Sequence, residues 1–275
     1  MVAVVTDSAA NVPAEWAREL GIEIVPMYLK FGDAVYRDGA DLTPTDFYQR
    51  LVRGGEPAST STPSPGDFQE AYARTGEQDI VCVTVASVMS AVHQQATLAS
   101  SSFEGRVEVV DSMSASMAEG FVAVEAARRA RGGAPLEECA AAARDVAGRT
   151  TLLATVDTFE FLQRSGRVNK LQAYAATMLD IKPVFRFHRG EVAPVARPRT
   201  RKRALDRIVQ DTMAAIEGRP VHLAVIHAAA PNDAQAILER LSIDANVIEH
   251  VVVPVTPVIG AHTGPGLVGT AFYCD

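Results

Sequence analysis

The chain reads as an α/β protein of two domains: a parallel-sheet α/β domain over residues 1–149 and an α+β domain over residues 150–275. Three observations predict this. MVAVVT at the start is an unbroken apolar run of the kind buried on both faces of a parallel sheet. Short β-branched runs then alternate with amphipathic segments, the rhythm of βαβ units. After Gly148 the pattern changes to strands that flank His188-Arg189-Gly190 as a hairpin, followed by further helix–strand pairs. A length of 275 residues suits two domains or one large one.

The elements follow in order. Asn11 is placed to cap a helix through AEWAREL, with Pro13 in its first turn and Gly21 at its end. IEIVPMYLKF reads as one strand, interrupted by Pro26 at an edge or bulge. Thr43 opens a helix through FYQRLV, and Ser64 with Asp67 forms a capping-box-like start to FQEAYAR. Strands over 80–85 and 107–110 alternate with helices over 90–101 and 115–130, and LEECAAAARDVAG is strongly helical. In the second half TLLATV is a strand and TFEFLQRSGRV a helix running into a turn. A helix over 202–216, the strand VHLAVIHA, a helix from Asn232 and the strand NVIEHVVV complete the pattern, with helices expected on one sheet face.

Composition excludes several classes. The chain is 48% hydrophobic and 21% charged, enough apolar content for a substantial core and too little charge for disorder. A net charge of −7 argues against a global nucleic-acid or anionic-lipid surface. Cys82, Cys139 and Cys274 are widely spaced, which disfavours a disulfide framework or a cysteine-rich zinc site and suits the cytoplasm. No signal peptide or membrane-length apolar run is evident. GxSxG, HExxH and a GxGxxG after the first strand are all missing. His222 and His227 fall on opposite faces of an apparent strand, so no metal site is expected.

Four polar, small-residue-rich segments carry the candidate chemistry: TDSAANVP, STSTPSP, SVMSAVHQQA and GAHTGPGLVG. The first and third follow strands directly, where open α/β sheets bind ligands. Hydroxyls at helix starts suit an anion, yet the commonest use of such residues is capping and turn closure. Asp7-Ser8 either organises a turn or meets a metal or sugar hydroxyl. His262, in a Gly/Pro loop, is either structural or functional. The basic stretch PRTRKRALDRI is either a solvated helix start or a docking patch for an acidic or phosphorylated partner.

These segments, in this order with FLQRSGRV, IKPVF and VVDSMSASMAEG, resemble the DegV family of fatty-acid-binding proteins along the whole chain. The resemblance implies a fatty acid such as palmitate, stearate or oleate buried between or within the domains. It implies no catalytic residue of its own and no further cofactor. The implied partner is a separate fatty acid kinase, which phosphorylates the presented carboxylate for phospholipid synthesis. By motif, carboxylate binding falls on Thr60, Ser61, Ser90, Ala91 and His262, and kinase docking on Arg167, Arg199 and Lys202. The family's Ser-Gly-Thr is Ser90-Ala91-Val92 here, which removes a hydroxyl and any glycine-only conformation. Phe159, Phe161, Leu162, Met178 and Leu179 are candidates for the apolar lining, or equally for ordinary core. Burying about 14 methylenes of a palmitate-length chain yields about 11 kcal/mol before ordering costs. The rival reading is a hydrolase or transferase using Ser90 with His262 on an acyl substrate. A third is a regulatory module whose bound ligand controls docking through residues 197–203.

Overall fold

The computed structural model of the chain describes residues 1–52, 58–76, 78–166 and 181–275. In chain order the first half runs β1 (Val2–Asp7), α1 (Ala14–Leu20), β2 (Ile22–Val25), β3 (Tyr28–Phe31), β4 (Ala34–Arg37), α2 (Pro44–Val52) and β5 (Ser59–Ser61). It continues through α3 (Pro65–Arg74), β6 (Asp79–Thr84), α4 (Val92–Ser100), β7 (Val107–Asp111), α5 (Met117–Arg131) and α6 (Leu136–Arg149). The second half runs β8 (Thr151–Thr155), α7 (Glu160–Ser165), β9 (Val184–His188), β10 (Glu191–Ala196), α8 (Arg201–Ile216), β11 (Val221–His227), α9 (Pro231–Asp244), β12 (Val247–Pro254), α10 (Pro257–Thr263) and β13 (Val268–Cys274).

The strands β2-β1-β6-β7 form a four-stranded parallel sheet in that order. Alternate side chains divide its two faces, as a period of two requires. Val4, Val81 and Val83 pack with Ala17 of α1 and with α5, whereas Val5, Ile80 and Cys82 pack with Phe68 of α3 and Ala96 of α4. The capping box at Ser64 is present in full: Ser64 and Asp67 each accept from the other's backbone N–H. The second sheet has the order β10-β9-β8-β13-β11-β12, mixed in direction, and includes the predicted hairpin. A small antiparallel sheet, β4-β3-β5, lies apart from both.

Helix α5 lies between the two larger sheets, touching β1 and β6 of one and β13 and β11 of the other. It is buried on nearly every face, as its run of alanines, valine and phenylalanine allows. Its core continues into the second half through Ala224, Ile226 and Tyr273, while Leu223, Val225 and Phe272 point to a separate core under α8 and α9.

Several expectations are corrected. Helices were expected on one face of the second sheet; α8 and α9 do cover one face, but α5 covers the other. IEIVPMYLKF is two strands in two different sheets, because Pro26 cannot continue the ladder. Asn11 does not cap α1, whose N-cap Pro13 has no side-chain bond. Its amide instead joins the halves: Nδ2 donates to the Pro254 carbonyl at 2.9 Å, and Oδ1 accepts from Thr256 N–H at 3.2 Å. STSTPSP holds a strand, β5, rather than a plain inter-helix loop. The sequence reading also passed over β13, which is the strand joining β8 to β11.

A charged clasp adds to the shared core. Arg128 of α5 grips Glu249 of β12 through both nitrogens, at 2.7 and 2.6 Å, and His222 Nδ1 stands 2.6 Å from the same carboxylate. The His222 ring stacks on Tyr273 at 4.3 Å. Burial would raise the Glu249 carboxyl, but the bonds from His222 and Arg128 outweigh it and hold it at about 2. A depressed carboxyl contributes stability above its unfolded value, and that contribution is lost as pH falls through the folded one. Glu249→Gln should therefore lower unfolding free energy at pH 7 by about 2 kcal/mol. In urea titrations the gap from the unsubstituted protein should narrow between pH 4.5 and about 2.

Candidate functional site

Helices α1 and α4 leave β1 and β6 on opposite faces of the parallel sheet. The crevice outside the carboxyl ends of these neighbouring strands is thus a topological switch point, the usual ligand position in an open α/β sheet. A cavity of about 300 Å³ lies there. Its walls come from the strand ends, at Ala9, Val85 and Ala115, and from Met27, Met89 and Ile259. Its polar groups are hydroxyls and one imidazole: Thr60, Ser61, Thr62, Ser90, Thr263 and His262. No Asp, Glu, Lys or Arg is among its described lining residues.

Four of the five residues expected to hold a carboxylate thus meet in one cavity, although they lie on β5, the loop before α4, and α10. Thr60 Oγ1 and His262 Nε2 are hydrogen-bonded at 2.8 Å across 202 positions of sequence. Thr60, Ser90 and His262 are half-buried, and Ser61 is exposed at the rim. The Ser90 hydroxyl accepts from the Val92 N–H at 3.4 Å, which leaves its proton for another acceptor. Ala91 differs from the expectation: it is exposed and does not line the cavity. Its φ of −78° is open to any residue, so the alanine here meets no conformational penalty.

His262 is not in a loop, as the Gly/Pro-rich sequence suggested, but in the last turn of α10. Pro257 starts that helix and Gly264, at φ +72°, ends it. A side chain at Gly264 would collide with the Phe161 ring, and Gly260 faces the Tyr48 hydroxyl and Phe47 ring as closely. The helix carrying the histidine can approach α2 and α7 only because these positions lack Cβ.

A second cavity of about 320 Å³ shares Thr60 and His262 with the first and is walled by Leu51, Phe161 and Arg164. The hydrogen-bonded pair therefore stands between the first cavity and one that carries Arg164, itself paired with Glu160. Of the proposed lining residues, Leu162 reaches the first cavity and Phe161 the second, while Phe159 belongs to the core. Met178, Leu179 and Arg167 lie outside the described residues. Arg199, just before α8, and Lys202, in its first turn, are exposed. Between them, Arg201 turns inward to Asp233 at 2.7 Å, Asp157 at 2.8 Å and the Gly266 carbonyl at 2.6 Å. Sequence reasoning missed this tie, because an arginine within a basic run gives no sign of which way it faces.

Among the described residues no group of three His, Cys, Asp or Glu is arranged to hold a metal, and no helix is long and apolar enough to cross a membrane.

A family model for DegV proteins matches residues 1–275. A DegV domain-containing protein of Streptomyces coelicolor is 35% identical over 277 residues, covering 98% of this chain and 96% of its own. The structure described as fatty acid binding of a DegV family protein from Thermus thermophilus superposes with a TM-score of 0.94 at 32% identity, covering 100% of this chain and 99% of that one. DegV of Bacillus subtilis, described as a fatty acid binding protein, gives 0.90 at 28% identity, with the same coverage.

Gly260→Ala should cost about 1–3 kcal/mol, because its Cβ would stand 2.5 Å from the Tyr48 hydroxyl and 2.7 Å from the Phe47 ring. Thermal unfolding would measure the loss, and Gly148→Ala, whose Cβ would meet nothing within 4 Å, is the control.

Proposed function

This chain belongs to the DegV family, and from that premise we propose that it binds a long-chain fatty acid, tail in the apolar cavity and carboxylate at Thr60, Ser61, Ser90 and His262. The observation that carries the reading is the Thr60–His262 pair at the edge of a cavity whose described lining is otherwise apolar or hydroxylic. An apolar chamber at a switch point suits a hydrocarbon tail, since no directional contact is needed to hold it. The head group must still be satisfied, because a buried unpaired carboxylate costs several kcal/mol. Neutral donors do this without a fixed cation, so the carboxylate keeps its nucleophilic oxygen. The fatty-acid-binding descriptions of the Thermus and Bacillus proteins support the same ligand class.

In this reading the protein is a carrier acting in the cytoplasm and presents the carboxylate to a separate kinase that forms an acyl phosphate. On this reading the head group would leave through the second cavity, which shares Thr60 and His262 and has Arg164, paired with Glu160, on its wall. Exposed Arg199 and Lys202 offer that kinase a cationic docking edge.

Native mass spectrometry of the purified protein should show a fatty acid adduct that organic extraction releases; polar metabolites alone, with no fatty acid bound on addition, would remove the proposal. Thr60→Val and His262→Ala should each weaken binding about tenfold, and together by less than the product, because each removes the same hydrogen bond. Labelling of Ser90 by a fluorophosphonate would favour acyl hydrolysis instead. Arg199→Glu with Lys202→Glu should leave fatty acid affinity intact and abolish kinase turnover.

A further inference from the structure

Behind the cavity wall lies a carboxyl pair with no role in holding the head group. Asp7, at the end of β1, is fully buried. Its Oδ1 accepts the Ala9 N–H and its Oδ2 the Val85 N–H, both at 2.9 Å. These two acceptor bonds span neighbouring strand ends on either side of the switch point, and both donors belong to residues that line the cavity. The tie extends further: the Ala9 carbonyl accepts from Ser116 N–H at 2.8 Å, Ala86 N–H donates to Ser114 at 2.8 Å, and Ser90 N–H donates to Ala86 at 3.2 Å. Ser116, at φ +55° and ψ −149°, holds a backbone conformation costly for a residue other than glycine, so surrounding bonds must hold it there.

We propose that Asp7 is a positioning residue for the fatty acid site: its carboxylate locks the ends of β1 and β6 together and thereby sets Ser90 opposite Thr60 and His262. The inference rests on the ligand reading above.

The groups facing Asp7 are Glu119 of α5, Cys82 of β6 and Asp38 after β4, with Asp111 of β7 acting on Glu119; Glu23 of β2 pairs outward with Arg74. None of those facing it is a cation. Burial, and then the charge of Asp7, raise the Glu119 carboxyl well above the usual range. Burial raises Asp7 to about 6, against the bonds from Val85, Ala9 and Glu119. Asp7 is thus ionised at neutral pH, and protonation weakens one of its two acceptor oxygens as pH falls.

The test uses the full chain and cis-parinaric acid, a fluorescent fatty acid. In ligand-free protein the Ala9 and Val85 amide protons should titrate together by NMR with one midpoint near 6. Asp7→Asn should weaken parinaric acid binding at pH 7.5 about tenfold and flatten the pH dependence of affinity around that midpoint. Amides that do not move with pH, or a folded Asp7→Asn with unchanged affinity and pH profile, would overturn the inference while leaving the ligand reading intact. Amides that titrate together in a protein that binds no fatty acid at any pH would leave the Asp7 tie standing and remove the ligand reading. Should Asp7→Asn not fold, the unsubstituted protein decides the matter: parinaric acid affinity should fall with the same midpoint as the Ala9 and Val85 amides, and an affinity that does not follow that midpoint would overturn the inference.

Discussion

The structure depends on one helix shared by two sheets. Alanines at 118, 123, 126 and 127 keep α5 thin enough to lie between them, and Gly120 lets the Ala10 carbonyl come within 2.6 Å of where a Cβ would stand. Interior packing is dense, so a methylene added on this helix would displace one sheet or the other. The residues before and after 149/150 form separate sheets but share a continuous core, and Asn11 and the Arg128–Glu249 clasp tie the same halves by hydrogen bonds. Rigid placement of the halves matters because the candidate site draws on both: Ser90 comes from the first half and His262 from the second.

At the site, charge is arranged by layers. Hydroxyls and an imidazole face the cavity, and Asp7 stands one layer behind, its carboxylate accepting from backbone amides at the strand ends. A carboxylate lining the cavity would repel an anionic head group, and a lysine or arginine there would bind it as a strong ion pair. Asp38 shows the same use of burial: its Oδ2 accepts from the Ser8 hydroxyl at 2.7 Å and its Oδ1 from Val258 N–H at 3.3 Å, linking the end of β4 to α10. These two carboxylates, Asp7 and Asp38, therefore tie strand ends and α10 together without lining the cavity.

Local chemistry determined much of this in sequence alone. The apolar run of β1, the capping box at Ser64 and the turn at Arg189-Gly190 depend on neighbours a few residues away, so they were legible residue by residue. The polar segments around Thr60, Ser90 and His262 were legible as chemistry, because hydroxyl- and glycine-rich stretches stand out from apolar elements. The tertiary structure alone decided what is made between distant segments. Pro26 separates two sheets, Asn11 spans the halves instead of capping a helix, and His262 sits on a helix that rests against Phe47 at Gly260 and Phe161 at Gly264. The 2.8 Å bond between Thr60 and His262, the inward turn of Arg201 and the burial of Asp7 have no local signature. The physical reason is range: turns and caps are settled by bonds within one turn of chain, whereas burial and long-range pairing exist only once packing has brought the segments together.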